Sequence, residues 1–238
     1  MKFRTIRAAL TVGVGVKAIL ATTAPLQGLF DRPGATHEFC NRQAIVILRR
    51  DGFSRCATFF QQYLPQLTAG VYWADEGWKN VGHYLEAGSE KGLWRFPSAV
   101  DEFRRYYGQA FHRARQGDYI KAAFFLGAAA HLVQDLCVPH HARARLLAGH
   151  KQYEGWAQAN CQRYAVDSAG VYQDGHLAHA LLLKNTALAA DFLTWVDADA
   201  SELSYHNATA ILLPQAQRAT AGLLRQFFSA AAAVLQAA

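Results

Sequence analysis

The chain has 238 residues, of which 52% are hydrophobic, and it carries a formal net charge of +6. A chain of this size holds one sizeable core or at most two domains, and the absence of a linker, a low-complexity run or an internal repeat favours one. The positive charge favours anionic partners such as phosphate esters or an acidic membrane surface, unless the cations are scattered for solubility alone. The arginine-rich spots lack interleaved aromatic residues, so no nucleic-acid platform is predicted.

The first thirty residues resemble an export signal. Three cations precede a mostly apolar run over residues 8–24, which Lys17 interrupts. An uncleaved helix lying on the membrane is the main alternative. A complete span is disfavoured, because a lysine near the bilayer centre costs about 2.5–3.5 kcal/mol. We therefore predict a signal-like or membrane-associating segment over residues 1–30 and a helical domain over residues 31–238. The protein would be exported or membrane-associated, with a cytoplasmic form on the membrane surface as the alternative.

From Thr36 onward the chain is predicted to be helical. Ser98 with Asp101 has the pattern of a capping box, and Asp118 is predicted to cap the following helix. The predicted helices cover residues 37–50, residues from 54 onward with a kink at Pro65, and residues 98–115, 118–136, 150–165, 176–196 and 207–236. Residues 70–97 are rich in glycine and are predicted as a long loop, which in a compact domain is usually functional. No run alternates with the period of a strand, so the fold class is all-α.

A cluster of metal-ligand residue types lies between residues 131 and 154. His131 and Asp135 are four residues apart, as are His150 and Glu154, so each pair shares a helix face and can hold one metal ion. His141 follows a proline that breaks the first helix. For either pair alone, a satisfied ion pair without metal is the simpler interpretation. Two such pairs with His141 between them favour metal binding.

These residues resemble the bacterial zinc-dependent phospholipase C family. The motif is H-x3-D-x5-H followed by H-x3-E, with a proline two residues before the middle histidine. The preceding A-A-F-F-L-G-A-A-A is similar to the family's lead-in helix. Further similar segments are G-V-Y-W-A-D at 70–75, V-G-H-Y at 81–84, T-H-E-F-C-N-R-Q-A-I at 36–45 and Q-R-A-T-A-G at 217–222. The resemblance covers about residues 36–228.

The resemblance implies a single-domain multi-helix bundle with two or three Zn²⁺ ions in a cleft beside the loop at about 70–97. It implies one zinc site at His83, His131 and Asp135, with Asp75 close by. A second site would comprise His141, His150 and Glu154. A third ion would be held by His37 and the shared Asp135. Asp75 would also be the candidate general base, although His37, Asp75 and His83 taken singly would be ordinary helix-terminal or loop residues.

The implied function is zinc-dependent hydrolysis of phosphodiester bonds, most simply by a phospholipase C acting on phospholipid headgroups. One alternative is a nuclease or nucleotidase of the related zinc family, which tends to have Asp where Glu154 stands and a longer connection before its last histidine. The short gap from His141 to His150 favours the phospholipase. The other alternative is a non-enzymatic membrane-surface protein with a structural metal site.

The sequence departs from the family at two places. No tryptophan precedes Trp73, so the family's N-terminal Trp ligand, whose spacing falls on Ala24, has no counterpart. The aromatic residues that embrace choline in the best-known members of the family fall on Glu76 and Asn80, so we predict a headgroup choice that is not restricted to choline. Three disulfide connectivities remain open for the four cysteines, and none is assigned to metal; they are Cys40, Cys56, Cys137 and Cys161.

Overall fold

The computed structural model describes residues 34–147, 149–172 and 177–236, with side chains up to residue 232. The predicted N-terminal segment at 1–30 lies outside these residues. The described part contains α-helices and short 3₁₀ turns but no strand, which confirms the all-α class. The helices are α1 (Ala35–Arg50), α2 (Ser54–Gln62), α3 (Leu64–Ala74), α4 (Ala99–Arg115), α5 (Tyr119–Asp135), α6 (Pro139–Ala142), α7 (His150–Asn160), α8 (Ala180–Ala190) and α9 (Glu202–Gln236).

Helix α5 is the centre of the bundle. Its N-terminus is capped by Asp118, whose carboxylate accepts a hydrogen bond from the backbone N–H of Lys121 at 3.1 Å. It packs against α1, α3, α4 and α9. Every residue from Leu126 to Asp135 is buried, so the helix is enclosed on all sides at its C-terminal end. That enclosed end carries His131 and Asp135.

The crossing of α3 and α5 corrects the predicted start of the long loop. Residues 70–74 belong to α3, and the irregular segment begins at Asp75 and contains a 3₁₀ turn, Gly77–Gly82. A Cβ atom at Gly70 would overlap the carbonyl oxygen of Phe124, and one at Gly127 would overlap that of Leu67. Gly70 therefore serves a close helix crossing rather than a turn, which its sequence neighbours do not reveal.

The other helix boundaries follow the predictions with local shifts. The capping box at Ser98 and Asp101 is present, and Pro65 lies in the first turn of α3 rather than at a kink. The predicted 150–165 helix ends at Asn160 and continues as a 3₁₀ turn. Within the described residues 177–196, the predicted 176–196 helix is confined to Ala180–Ala190. Helix α9 begins at Glu202 rather than 207, because the Ser201 hydroxyl accepts a hydrogen bond from the N–H of Ser204.

No helix in the described part of the chain combines the length and the apolar content needed to cross a membrane. All four cysteines are buried and present as free thiols. Three of them, Cys40, Cys137 and Cys161, lie in one apolar cluster with Tyr164 and Leu213.

Candidate metal centre

The buried end of α5 presents the first two predicted metal ligands. His131 Nε2 lies 3.0 Å from Asp135 Oδ2, as expected for residues four apart on one helix face. Both side chains are almost fully enclosed. Because α5 is apolar around them, an imidazole and a carboxylate are held together in surroundings that offer little water.

His83 reaches this pair from the loop after α3. Its Nδ1 lies 2.8 Å from Asp135 Oδ2 and 3.2 Å from His131 Nε2. The loop is held in place by its backbone, because the N–H of Leu85 donates to the carbonyl of His141 at 3.0 Å and the N–H of Ala99 donates to the carbonyl of Tyr84 at 3.0 Å.

Asp75 stands at the C-terminal end of α3, where the loop begins. Its carboxylate belongs to a group with His83 and His131 in which all ligand atoms lie within 4.8 Å of one another. Asp75 is exposed, whereas the two histidines are buried. It therefore forms the solvent-facing side of this group.

The second group joins α6 to α7. Glu154 Oε1 lies 2.9 Å from His150 Nε2 and 3.3 Å from His141 Nε2. Gly149 precedes His150 at a φ of +87°, where a Cβ atom would approach the backbone of Ala198 to 2.7 Å. A side chain there would push the start of α7 away from the segment that follows α8, so the glycine fixes the position of His150.

Two aromatic rings enclose the second group. Tyr84 stacks on His141 with a centroid distance of 4.6 Å, and His140 stacks on His150 at 4.8 Å. No role is predicted for His140 from the sequence, because the spacing from Asp135 selects His141. Its burial against a candidate ligand comes from the turn at α6, which only the tertiary structure defines.

The third group brings α1 to the same carboxylate. His37 Nε2 lies 3.4 Å from Asp135 Oδ1, and His37, His131 and Asp135 offer ligand atoms within 4.8 Å of one another. The ring centroids of His37 and His131 are 4.1 Å apart. Asp135 thus faces His83 with one oxygen and His37 with the other.

The buried charges of the site are coupled to one another. Burial alone would raise the pKa of Asp135, but the nearby His131 and His141 hold it well below its ordinary value of 3.8. Burial likewise opposes protonation of His141, yet Asp135 and Glu154 raise its pKa to about 9. For Glu154, hydrogen bonds from His141 and His150 outweigh burial and lower its pKa. The site therefore holds ionised carboxylates at neutral pH.

The donor set fits zinc. All eight predicted residues fall into the three groups, and they offer imidazole nitrogens and carboxylate oxygens, the ligand types that zinc prefers alongside thiolate. His83 Nε2, His131 Nδ1 and Asp135 Oδ2 are buried and accept or donate no hydrogen bond within the described residues. Buried polar atoms are normally satisfied, and a cation bound beside Asp135 Oδ2 would satisfy that oxygen.

Comparison with known proteins points to one family. Residues 36–206 match the family model described as "Zinc dependent phospholipase C". The chain is 31% identical to a phospholipase C of Clostridium novyi over 107 residues, which are 41% of this chain and 27% of that protein. It is 30% identical to a phospholipase C of Clostridium perfringens over 97 residues, which are 40% of this chain and 23% of that protein.

The fold has counterparts among solved structures. The alpha-toxin of Clostridium absonum superposes with a TM-score of 0.75 at 18% identity, over 84% of this chain and 65% of that one. The alpha-toxin of an avian strain of Clostridium perfringens superposes with a TM-score of 0.70 at 17% identity, over the same shares of the two chains. The matched region spans about a quarter of the length of the two curated relatives and about two thirds of the two solved chains.

Proposed function

This chain belongs to the zinc-dependent phospholipase C family, and on that premise we propose that it hydrolyses phospholipids to diacylglycerol and a phosphorylated headgroup. The observation that carries the proposal is the convergence of eight residues from α1, α5, α6, α7 and the loop after α3 into three adjacent groups. A purely structural zinc site needs about four ligands, arranged as one closed tetrahedron. Three adjacent groups with an exposed member suit catalysis better.

Two or three zinc ions are proposed, each held by one of the three groups of ligands. Asp75, His83, His131 and Asp135 would hold the first, and His141, His150 and Glu154 the second. His37 with Asp135 would contribute to a third. Bound zinc supplies positive charge for the phosphoryl and leaving oxygens and activates water at neutral pH. Asp135 would be shared between the first and third ions, since its two oxygens face different histidines.

Asp75 is the proposed general base. Most of the other carboxylates and imidazoles in the groups are buried and paired with one another, whereas Asp75 is exposed at the start of the loop. Asp75 is therefore the member of its group that solvent reaches directly. Asp75 can then accept the proton of the attacking water, a role worth about 10²–10⁴-fold in rate.

The substrate class is proposed from the family and from charge. The net charge of +6 favours an anionic phosphodiester at a lipid surface. Glu76 and Asn80 offer no aromatic face to a quaternary ammonium, so the headgroup preference is proposed not to be restricted to choline. Export or membrane association is the location consistent with such a substrate.

A panel of phosphodiesters tests the proposal. We expect the zinc-loaded protein to release diacylglycerol from phospholipids and to leave single-stranded DNA and 3′-nucleotides intact. His141→Ala should abolish this release, while His112→Ala, on the surface of α4, should not. Nucleotide turnover without diacylglycerol would identify a nuclease instead. One tightly held zinc ion without any turnover would identify a structural metal site.

A further inference from the structure

The loops around the metal centre expose large apolar side chains. Trp78 and Trp94 are 85% and 75% exposed, and Leu147 is 81% exposed. Phe96 and Leu146 are also exposed. Trp78 follows Asp75 by three residues, and the two leucines lie between His141 and His150. We call these five residues the rim. Single exposed apolar residues are ordinary, but five on the loops of one site indicate a contact surface.

The rim loops are joined to one another. Trp78 and Pro97 line the same cavity of about 490 Å³. The rings of Trp94 and Phe96 lie 6.2 Å apart, immediately before Pro97. The loop that carries all three aromatic residues is tied to the loop of the two leucines, because the N–H of Ala87 donates to the carbonyl of Ala142 at 3.1 Å and Arg143 lies 3.7 Å from Glu86.

Each part of the rim lies beside a cation. Lys79 follows Trp78, Arg95 stands between Trp94 and Phe96, and Arg145 precedes Leu146. Arg95 and Arg145 are exposed and form no ion pair with any described residue, whereas Lys79 Nζ lies 3.9 Å from a carboxylate oxygen of Glu76. Exposed apolar side chains next to unpaired cations are the combination that anchors proteins to anionic lipid interfaces.

We propose that the rim is a membrane-docking surface, which inserts Leu146, Leu147 and Trp94 among the headgroups of an anionic bilayer. Its occupant is the phospholipid surface that carries the substrate, so this inference rests on the proposed function. The two leucines occupy the short connection between two candidate ligands of the second group. Insertion of the two leucines would bring the second group of ligands against the headgroup layer. A lipid headgroup would then reach that group while the lipid stays largely in the bilayer.

Partition onto vesicles tests the docking surface, with Leu147→Asp as the variant and Ile120→Asp as its matched control. Ile120 is also a large exposed aliphatic residue, but it lies in the first turn of α5, at the end opposite Asp135. Zinc-loaded protein is mixed in a stopped-flow instrument with vesicles of phosphatidylcholine and phosphatidylserine, and binding is read before turnover. We expect Leu147→Asp to weaken partition by roughly tenfold or more and Ile120→Asp to leave it unchanged.

A second readout separates docking from catalysis. The rate on vesicles is divided by the rate on a short-chain phospholipid that stays monomeric, and this ratio should fall for Leu147→Asp together with partition. Wild-type partition by Leu147→Asp overturns the proposal. The proposal is also overturned if the wild type sediments as a dimer and Leu147→Asp as a monomer, because the rim would then be a contact between two copies. If Leu147→Asp loses zinc or stability, Trp94→Ser decides by the same criteria. A protein that docks but hydrolyses neither substrate refutes the proposed function while the docking surface stands.

Discussion

Gln134 holds His37 in a single orientation, with its Oε1 2.9 Å from His37 Nδ1. The amide nitrogen of Gln134 donates to Asn41 Oδ1 and to Thr220 Oγ1, each at 3.0 Å. These two acceptors fix which end of the amide faces His37. Nδ1 of His37 must therefore carry the ring proton, because Oε1 of Gln134 can only accept a hydrogen bond. The unprotonated Nε2 then faces Asp135. Such partners behind a ligand set its tautomer and typically change metal affinity by 10–100-fold.

We predict that Gln134→Leu selectively weakens the metal group that contains His37. The variant removes the acceptor for Nδ1, so the ring is free to turn, and zinc content should fall by one equivalent or less while the other groups stay loaded. Gln217→Leu is the matched control. Gln217 is equally buried on α9, but its partners among the described residues are the backbone groups of Tyr164, Val166 and Leu213. Elemental analysis showing the same zinc content in both variants would remove Gln134 from any role in the metal centre.

We predict that Asp135→Asn removes most of the zinc and most of the activity together. Asparagine keeps the shape but loses the charge that faces His37, His83 and His131. Because metal binding is coupled to folding, the melting temperature should fall as well. Elemental analysis and thermal unfolding measure both effects, and His131→Ala should behave in the same way.

Asp118→Asn is the control for that experiment, since Asp118 caps the opposite end of the same helix and asparagine caps nearly as well. Its zinc content should be that of the wild type. Full zinc content in Asp135→Asn would show that the carboxylate is not a ligand.

We predict that Asp75→Asn lowers turnover by about 10²–10⁴-fold while most of the zinc remains. The substitution removes the basicity of the exposed carboxylate but leaves the buried groups intact. Steady-state rates with parallel zinc analysis give the answer. Near-normal turnover would mean that Asp75 serves only to end α3, because asparagine is a good residue in turns. Parallel loss of zinc and activity would make it chiefly a ligand.

We predict that zinc affinity rises with pH up to about pH 9. The pKa of His141 is raised to about 9 in the metal-free protein, so this histidine is protonated at neutral pH and must lose its proton to bind zinc. Each proton released makes affinity increase by up to about tenfold per pH unit. Competition with a chelating dye across this range, and proton release during zinc titration, measure the effect. Affinity independent of pH would place His141 outside the ligand set.

The same proton affects folding of the metal-free protein with the opposite sign. The pKa of His141 in the folded state lies above its ordinary value of 6.5. Protonation of His141 therefore stabilises the native state fully below about pH 6.5, and this contribution is lost as the pH rises through about 9. The melting temperature of the metal-free protein should therefore decline over this range. Unchanged melting temperatures would contradict the raised pKa of His141.

Four of the candidate metal ligands could be paired from the sequence alone, because they follow helical spacing. His131 with Asp135, and His150 with Glu154, are neighbours on single helices, so four-residue intervals suffice to pair them. The all-α class followed in the same way from periodicity and caps such as Ser98. The resemblance brought His37, Asp75 and His83 to the list, and the structure brings all three beside His131.

The supporting residues were not accessible, because they depend on how helices cross. Gln134 meets His37 only where α1 passes α5, and Tyr84 covers His141 only where the loop meets α6. Gly70 carried the signature of a loop but serves a helix crossing. A clue to Gln134 was present all the same, since it is an uncharged polar residue between His131 and Asp135 in a fully buried stretch of α5.

Zinc reconstitution of the chelated protein, followed by diacylglycerol release from phospholipid, tests the central claim most directly. We expect the metal-free protein to be inactive and activity to return only as the second and later equivalents of zinc bind, since one ion cannot serve groups centred on both Asp135 and Glu154. Full hydrolysis by the chelated protein, or a chain saturated with zinc that releases no diacylglycerol, would contradict it.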